Sequence, residues 1–193
     1  MRVDTLSTLG RTIGFSFAAG INLYATVAIL GLASRYAWVD LPPQYRVFDN
    51  NWIIAASIAL YTVEFLADKI PWVDSLWDAV HTVVRPVGGA FIATASIGAV
   101  SPAAQAFVAL AGATLATSSH VTKAGARGIV NASPEPFSNW ILSVSEDGFV
   151  IALGLLALKY PLAAGVVVLV CLLVIGIFAN LLIRALRRRF RRA

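Results

Sequence analysis

Residues 64–85 read EFLADKIPWVDSLWDAVHTVVR: five acidic and basic side chains precede a histidine, an arginine follows it, and apolar runs lie on both sides. Any fold for this chain has to house those groups where water is scarce. The scarcity comes from the rest of the sequence, which is 59% hydrophobic and 13% charged, with a mean hydropathy of +0.78. Soluble domains carry roughly a quarter of their residues as charges. A membrane-crossing helix takes roughly 20 mainly apolar residues, and the apolar segments leave room for about six. The expectation is an all-α, polytopic membrane helix bundle of about six transmembrane helices.

Three regions follow. Residues 1–10 form a short polar lead, expected on the cytoplasmic side. Residues 11–186 form a single transmembrane helical domain, and 187–193 a basic cytoplasmic tail. The first helix is expected over about Arg11–Tyr36, where Asn22 in an apolar zone calls for a partner on another helix. Its apolar run exceeds a signal-peptide core and lacks a clear cleavage site, so it is expected to be retained. A second helix spans about Trp52–Ile70 and stops before Pro71. A third runs from Pro71 to about Val100, with Pro86 as a kink signal. A fourth starts at Pro102, suited to the first helical position, and runs to about Val130. The NASPEP loop at 131–136 leads to helices over about Phe137–Lys159 and Leu162–Leu186.

Six crossings put both termini on one side. The C-terminal arginines, Arg187, Arg188, Arg189, Arg191 and Arg192 among them, set that side as cytoplasmic and mark it for anionic lipid headgroups. Arg2, Arg11, Lys69, Lys123 and Arg127 then share it, leaving Arg35, Arg46 and Lys159 opposite. A juxtamembrane anchor accounts for the tail better than nucleic-acid binding does. Trp38, Trp52, Trp72, Trp77 and Trp140 near helix ends read as interfacial anchors.

The ionisable residues fall in stripes. Asp74, Asp78, His81 and Arg85, spaced by 4, 3 and 4, share one helix face. Glu64 and Asp68 share another, as do His120, Lys123 and Arg127, and Asn139, Ser143 and Glu146 with Asp147 beside them. A charge facing lipid at the bilayer centre costs roughly 2.5–3.5 kcal/mol on insertion scales. The stripes should therefore turn inward and meet, the acids pairing with Lys69, Arg85, Lys123 and Arg127. There is also an internal echo. Pro71-Trp72-Val73-Asp74 parallels Pro136-Phe137-Ser138-Asn139, and at equal offsets Asp78 parallels Ser143 and His81 parallels Glu146. This suggests a parallel hairpin repeat of the second and third helices by the fourth and fifth, as transporters often carry. A small chain with such a repeat also suits a homo-oligomer.

Other chemistries find less support. Asp74, Asp78 and His81 supply mixed oxygen and nitrogen ligands for a metal, but HExxH and CxxC are missing. Ser118, Ser119 and His120 are adjacent and so face different ways on a helix. No GxSxG elbow or phosphate-cradling loop occurs. The single Cys171 excludes an intrachain disulfide and reads as a small hydrophobe. No cofactor is implied.

Several strings carry a resemblance: AAGINLYATVAILGL, WVDLPP, VEFLADKIPWVDSLWDAVHTVVRP, HVTKAGARGIVNASPEPFSNW and the SED acidic pair. From about residue 12 to 180 the chain resembles a family of small bacterial membrane proteins known as domain of unknown function 4126. The resemblance implies an integral membrane protein of this size and no specific activity; the bacterial inner membrane is the expected location.

The residues themselves point to a small transporter or channel-like protein for a cation, proton or small polar solute. Its polar cavity would open to the cytoplasm and use Asn22, Glu64, Asp68, Asp74, Asp78, His81, Arg85, His120, Lys123, Ser138, Asn139, Glu146 and Asp147. Two rival expectations stand beside it. One is a non-catalytic membrane scaffold or lipid-organising protein with structural ion pairs. The other is a metal-dependent membrane-embedded enzyme built on Asp74, Asp78 and His81.

Overall fold

The computed structural model describes residues 5–132 and 137–190. The described chain is helical: α1 Thr5–Ile21, α2 Leu23–Arg35, a 3-10 turn at Pro43–Phe48, α3 Asn51–Ala67, α4 Pro71–Ile97, α5 Pro102–Asn131, α6 Phe137–Lys159 and α7 Pro161–Phe190. The starts follow local chemistry. Asn50 Oδ1 accepts from the Trp52 and Ile53 amides ahead of α3, and Ser101 Oγ from the Ala104 amide ahead of α5. Pro71, Pro102 and Pro161 sit where a missing N–H costs nothing. Gly98 closes α4 at φ +69°, backbone that favours glycine. Helix α4 runs on through Pro86.

Helices α4, α6 and α7 are long and apolar enough to cross a membrane. Their outward faces carry exposed Val83, Val87, Ile141, Val144, Leu169, Leu173 and Phe178, a surface suited to lipid. The most extensive packing joins α4 to α5, where Gly89 and Gly112 bring the two backbones together. Helix α1 lies in the middle, against α4, α5, α6 and α7.

The first helical segment departs from expectation. Instead of one helix from Arg11 to Tyr36 there are two, divided at Asn22, whose backbone is extended (φ −146°, ψ 100°). Residues 5–10, expected as a polar lead, already belong to α1. The path can be followed by contacts. Gly10 rests on the Pro161 backbone, Arg11 Nη2 donates to Leu158 O at 3.4 Å, and Gly14 faces Ala157 and Ala164. Deeper in, Ser16 Oγ donates to Gly89 O and Ser119 Oγ to Phe17 O. Helix α2 then climbs back. Leu23 lies on Gly88, Ile29 on Gly154, and Arg35 reaches Asp49 at 2.8 Å beside the 3-10 turn. Helices α1 and α2 thus form a wedge that enters and leaves at one end, which we term the far end.

This route corrects two expectations. Arg11 lies at the far end with Lys159, not with Lys69. The beginning of α1 sits beside the beginning of α7, so the beginning of α1 and the end of α7 occupy opposite ends of the bundle.

The two halves of the bundle differ in chemistry. The apolar core, with Phe15, Leu30, Tyr45, Phe48, Ile92, Val150, Leu153 and Leu158, fills the far half. Tyr45 donates to Ser96 Oγ at 2.9 Å, which lets a phenol sit in this core. The other half, toward the turns after α3 and α5, holds the charges.

Candidate functional site: a buried charged column

Helix α4 carries Asp74, Asp78, His81 and Arg85 on one buried face. At roughly 1.5 Å per residue, Arg85 stands about 21 Å from the start of the helix. The column thus runs from the charged end to the tip of the α1–α2 wedge. Asp68 closes α3, and Glu64 sits one turn earlier. Helix α5 supplies His120, Lys123 and Arg127, and α6 supplies Asn139, Ser143, Glu146 and Asp147.

Three basic side chains organise the column. Arg85, fully buried, donates through Nη2 to Glu64 Oε1 (2.9 Å) and through Nη1 to Asp78 Oδ1 (3.1 Å). Lys123 Nζ lies 3.1 Å from Asp68 Oδ2, 3.3 Å from Glu64 Oε1 and 3.7 Å from Glu146 Oε2. Arg127 binds Glu146 Oε2 through Nε (3.0 Å) and Nη2 (2.6 Å), Asp68 Oδ2 through Nη2 (2.8 Å), and Asn139 Oδ1 through Nη1 (2.7 Å). Glu64 and Asp68 are shared, so the pairs join into one chain. The expected stripes do converge, and their members meet one another directly.

The helix break is wired into this chain. The last carbonyls of α1 carry the negative end of its dipole and lack intrahelical donors. Arg85 Nη1 approaches Gly20 O at 3.4 Å and Lys123 Nζ approaches Ile21 O at 3.3 Å. On the α2 side, Asn22 Oδ1 accepts from the Ala25 amide at 2.9 Å, and Asn22 Nδ2 donates to Asp147 Oδ1 at 3.1 Å. Asn22 has the cross-helix partner its position called for.

Hydrogen bonding fixes the tautomers of both histidines. The Trp77 carbonyl only accepts, so His81 Nδ1 carries the proton there (2.7 Å). In the neutral ring, His81 Nε2 then accepts from the Tyr24 hydroxyl at 2.9 Å. Arg85 Nη1 donates to His120 Nδ1 at 2.6 Å, so the His120 proton is on Nε2, facing Thr82 Oγ1 at 3.1 Å. Thr82 Oγ1 donates in turn to Asp78 O. The geometry therefore makes His120 a neutral imidazole and sets a proton of His81 on Nδ1.

The charges do not balance. Glu64, Asp68, Asp74, Asp78 and Asp147 are at most 6% exposed, and Glu146 is largely buried. Against these six acids stand Arg85, Lys123 and Arg127. Lys69, expected as a fourth counter-ion, bonds instead to Phe65 O at 2.8 Å with its ammonium over the Phe65 ring. Desolvation in the α3–α4 turn holds that ammonium below the ordinary lysine range. Three carboxylates are in excess. Moreover, among the described residues, Glu64 Oε2, Asp68 Oδ1, Asp74 Oδ1 and Asp147 Oδ2 are buried with no hydrogen-bond partner, as is Ser143 Oγ.

Other expected residues divide. Asn139 joins the column, its Nδ2 donating to Asp68 O at 3.2 Å. Among the described residues Ser138 Oγ is buried without a partner. The metal candidates take separate partners: Asp74 Oδ2 accepts from Asn131 (2.6 Å), Asp78 from Arg85, and His81 from Tyr24. Among the described residues no three His, Cys, Asp or Glu side chains gather as a metal site. Arg187 is exposed, nothing is described of the Arg188 and Arg189 side chains, and Arg191 and Arg192 lie outside the described residues. Trp38, Trp52, Trp72 and Trp140 are exposed, whereas Trp77 stacks on His81 with centroids 4.6 Å apart.

Sequence reasoning missed Tyr24, Thr82 and Asn131 as members. Tyr24 lies two residues past Asn22, and Thr82 lies one past His81. Asn131, expected in the NASPEP loop, is the last residue of α5.

A family model described as Domain of unknown function (DUF4126) matches residues 9–180. No curated protein and no solved structure matches the chain.

Proposed function

The chain belongs to the DUF4126 domain family, a membership that leaves the activity to be argued from the site, and we propose that it is a non-enzymatic transporter of protons or small cations. One observation carries this reading: six buried carboxylates face three buried bases, with four carboxylate oxygens unpartnered. Isolated buried carboxylates are costly, so an excess of this kind is met by protons or by cations. Charges held at membrane depth mark ion and proton pathways by default.

In the proposed arrangement α3 to α7 cross the inner membrane and α1–α2 re-enter from the far side. The arginine-rich end of α7 faces the cytoplasm by the positive-inside rule, in contact with anionic lipid. The charged column then opens toward the cytoplasm and stops at the wedge tip. Phe15, Tyr45, Phe48 and Ile92 close the opposite path. Broken helices whose ends meet ions near mid-membrane suit such a role. The α3–α4 and α5–α6 hairpins act as a repeat: the equivalent residues Asp74 and Asn139 both approach Arg127 Nη1, at 3.9 and 2.7 Å. Alternating access would move the wedge against these hairpins, in a monomer or a homo-oligomer.

Purified protein in liposomes tests the reading. An imposed pH or cation gradient should drive flux that Glu146→Gln reduces at least tenfold. Absence of flux under proton, sodium and potassium gradients overturns it.

A second reading rests on the saturation of the bases, since Lys123 and Arg127 each touch at least two acids. A static clasp in a membrane scaffold would look the same. It predicts blank transport assays together with large stability losses on neutralising any one partner.

A further inference from the structure

Asp147 differs from every other acid in the column. Glu64, Asp68, Asp74, Asp78 and Glu146 each lie within 4.0 Å of an arginine or lysine nitrogen. Among the described residues Asp147 has no such ion pair. It is 6% exposed, its Oδ1 has only the neutral amide of Asn22, and its Oδ2 has no partner. A bare carboxylate so placed is disfavoured by burial. Four residues earlier on the same face of α6, Ser143 Oγ is also buried and unpartnered.

We propose that Asp147 is the proton-binding carboxyl of this protein, carrying its proton on Oδ2 beside Ser143 at the tip of the α1–α2 wedge. This rests on the transport reading and names the site within it. A proton on Oδ2 removes the uncompensated charge and turns an orphaned acceptor into a donor. Ser143 Oγ, one turn earlier on the same face and itself unpartnered, is the acceptor assigned to that proton. Asn22 keeps its bond to Oδ1 in either state, because an amide N–H serves a carboxyl oxygen and a carboxylate oxygen alike. Loss of the proton leaves a negative charge that acts on the groups around it. These are Glu64 and Tyr61 from α3, Asp68 and Lys69 from the turn that follows, and Lys123 from α5. Lys123 is the only cation among them inside the column, and it also holds Ile21 O at the end of α1. Release of the proton therefore pulls on the residue that pins the wedge.

Difference infrared spectroscopy of the full-length protein in lipid, stepped in pH, reads this directly. The carboxylic-acid C=O absorption should lose one component in Asp147→Asn and keep that component in Asp49→Asn, a change outside the column. Ser143→Ala, which leaves the carboxyl in place, should shift the frequency of that component. A spectrum from which Asp147→Asn removes no component, or a component that Ser143→Ala leaves untouched, overturns the assignment. A component that disappears on adding sodium at constant pH also overturns it, since the site then takes a metal cation. The spectrum is independent of flux. A component that behaves as expected in a protein with no transport refutes the transport reading alone.

Discussion

Arg85 Nη2 lies 2.9 Å from Glu64 Oε1, and both side chains are wholly inaccessible to solvent. The pair joins α4 to α3, two helices that otherwise touch sparsely. A buried ion pair recovers little net stability over an apolar pair, yet breaking it strands a charge at a cost of about 3–5 kcal/mol. Arg85→Met should therefore lower stability by about that amount. It leaves Glu64 bound only to Lys123 and frees Gly20 O and His120 Nδ1. Glu64→Gln in the same chain should recover part of the loss, measured by chemical unfolding in detergent micelles. Additive losses in the double variant would mean the two side chains act independently.

Much of that column was legible because helix geometry is strict. Residues at intervals of three and four share a face, so Asp74, Asp78, His81 and Arg85 had to point together, and the cost of charge in lipid had to turn them inward. Choice of partner was not legible. Lys69 and Arg127 sit at similar distances from helix ends, but only Arg127 is fixed along α5 where α3 and α6 converge. Lys69, on a turn, swings to the Phe65 ring. The break at Asn22 escaped because AAGINLYATVAIL keeps its apolar character across the junction. The only local signal is an asparagine, a strong N-cap, two residues after a glycine. Whether an asparagine inside an apolar run caps a new helix or bridges to another depends on tertiary partners. Here its two side-chain atoms do both.

Asn22→Ala tests that double role. Removing an N-cap costs about 0.5–2 kcal/mol, and stripping Asp147 Oδ1 of its donor adds about 1–3 kcal/mol if the carboxyl stays buried. Asn22→Ser, which keeps a capping oxygen but does not reach as far, should fall between the wild type and alanine. Thermal unfolding midpoints of the three proteins check the order. Equal midpoints for serine and alanine would show that the cap contributes nothing and only the Asp147 bond matters.

The α4–α5 contact gives a prediction independent of charge. A Cβ at Gly112 would collide with Ala93 and the Gly89 backbone, while Gly125 on the same helix has open space around it. Gly112→Leu should destabilise by at least the roughly 1–3 kcal/mol of ordinary overpacking, because backbone cannot yield as a side chain does. Gly125→Leu should stay within about 0.5 kcal/mol of wild type or rise slightly from helix propensity. Unfolding in a fixed detergent separates them, and a neutral Gly112→Leu would mean the two helices pack further apart than described.

The wedge makes the sharpest claim about membrane disposition. If α1 and α2 enter and leave by one face, Leu9 and Tyr36, both exposed, lie on the same side of the membrane and Arg187 lies on the other. In a variant with Cys171 replaced by alanine, single cysteines at these three positions should label accordingly with a membrane-impermeant maleimide. Leu9→Cys and Tyr36→Cys should react from outside intact spheroplasts, and Arg187→Cys only after the membrane is opened. A continuous crossing helix over residues 5–35 predicts that Leu9 and Tyr36 label from opposite sides. The two arrangements also differ in what they ask of Asn22. A crossing helix would leave it as one polar side chain in a long apolar span. A re-entrant wedge brings two helix ends to the same depth as Arg85, Lys123 and Asp147, where the unpaired carbonyls of α1 and the first amides of α2 find charged or capping partners within 3.4 Å. Labelling of Leu9 together with Arg187 and apart from Tyr36 would remove that geometric basis.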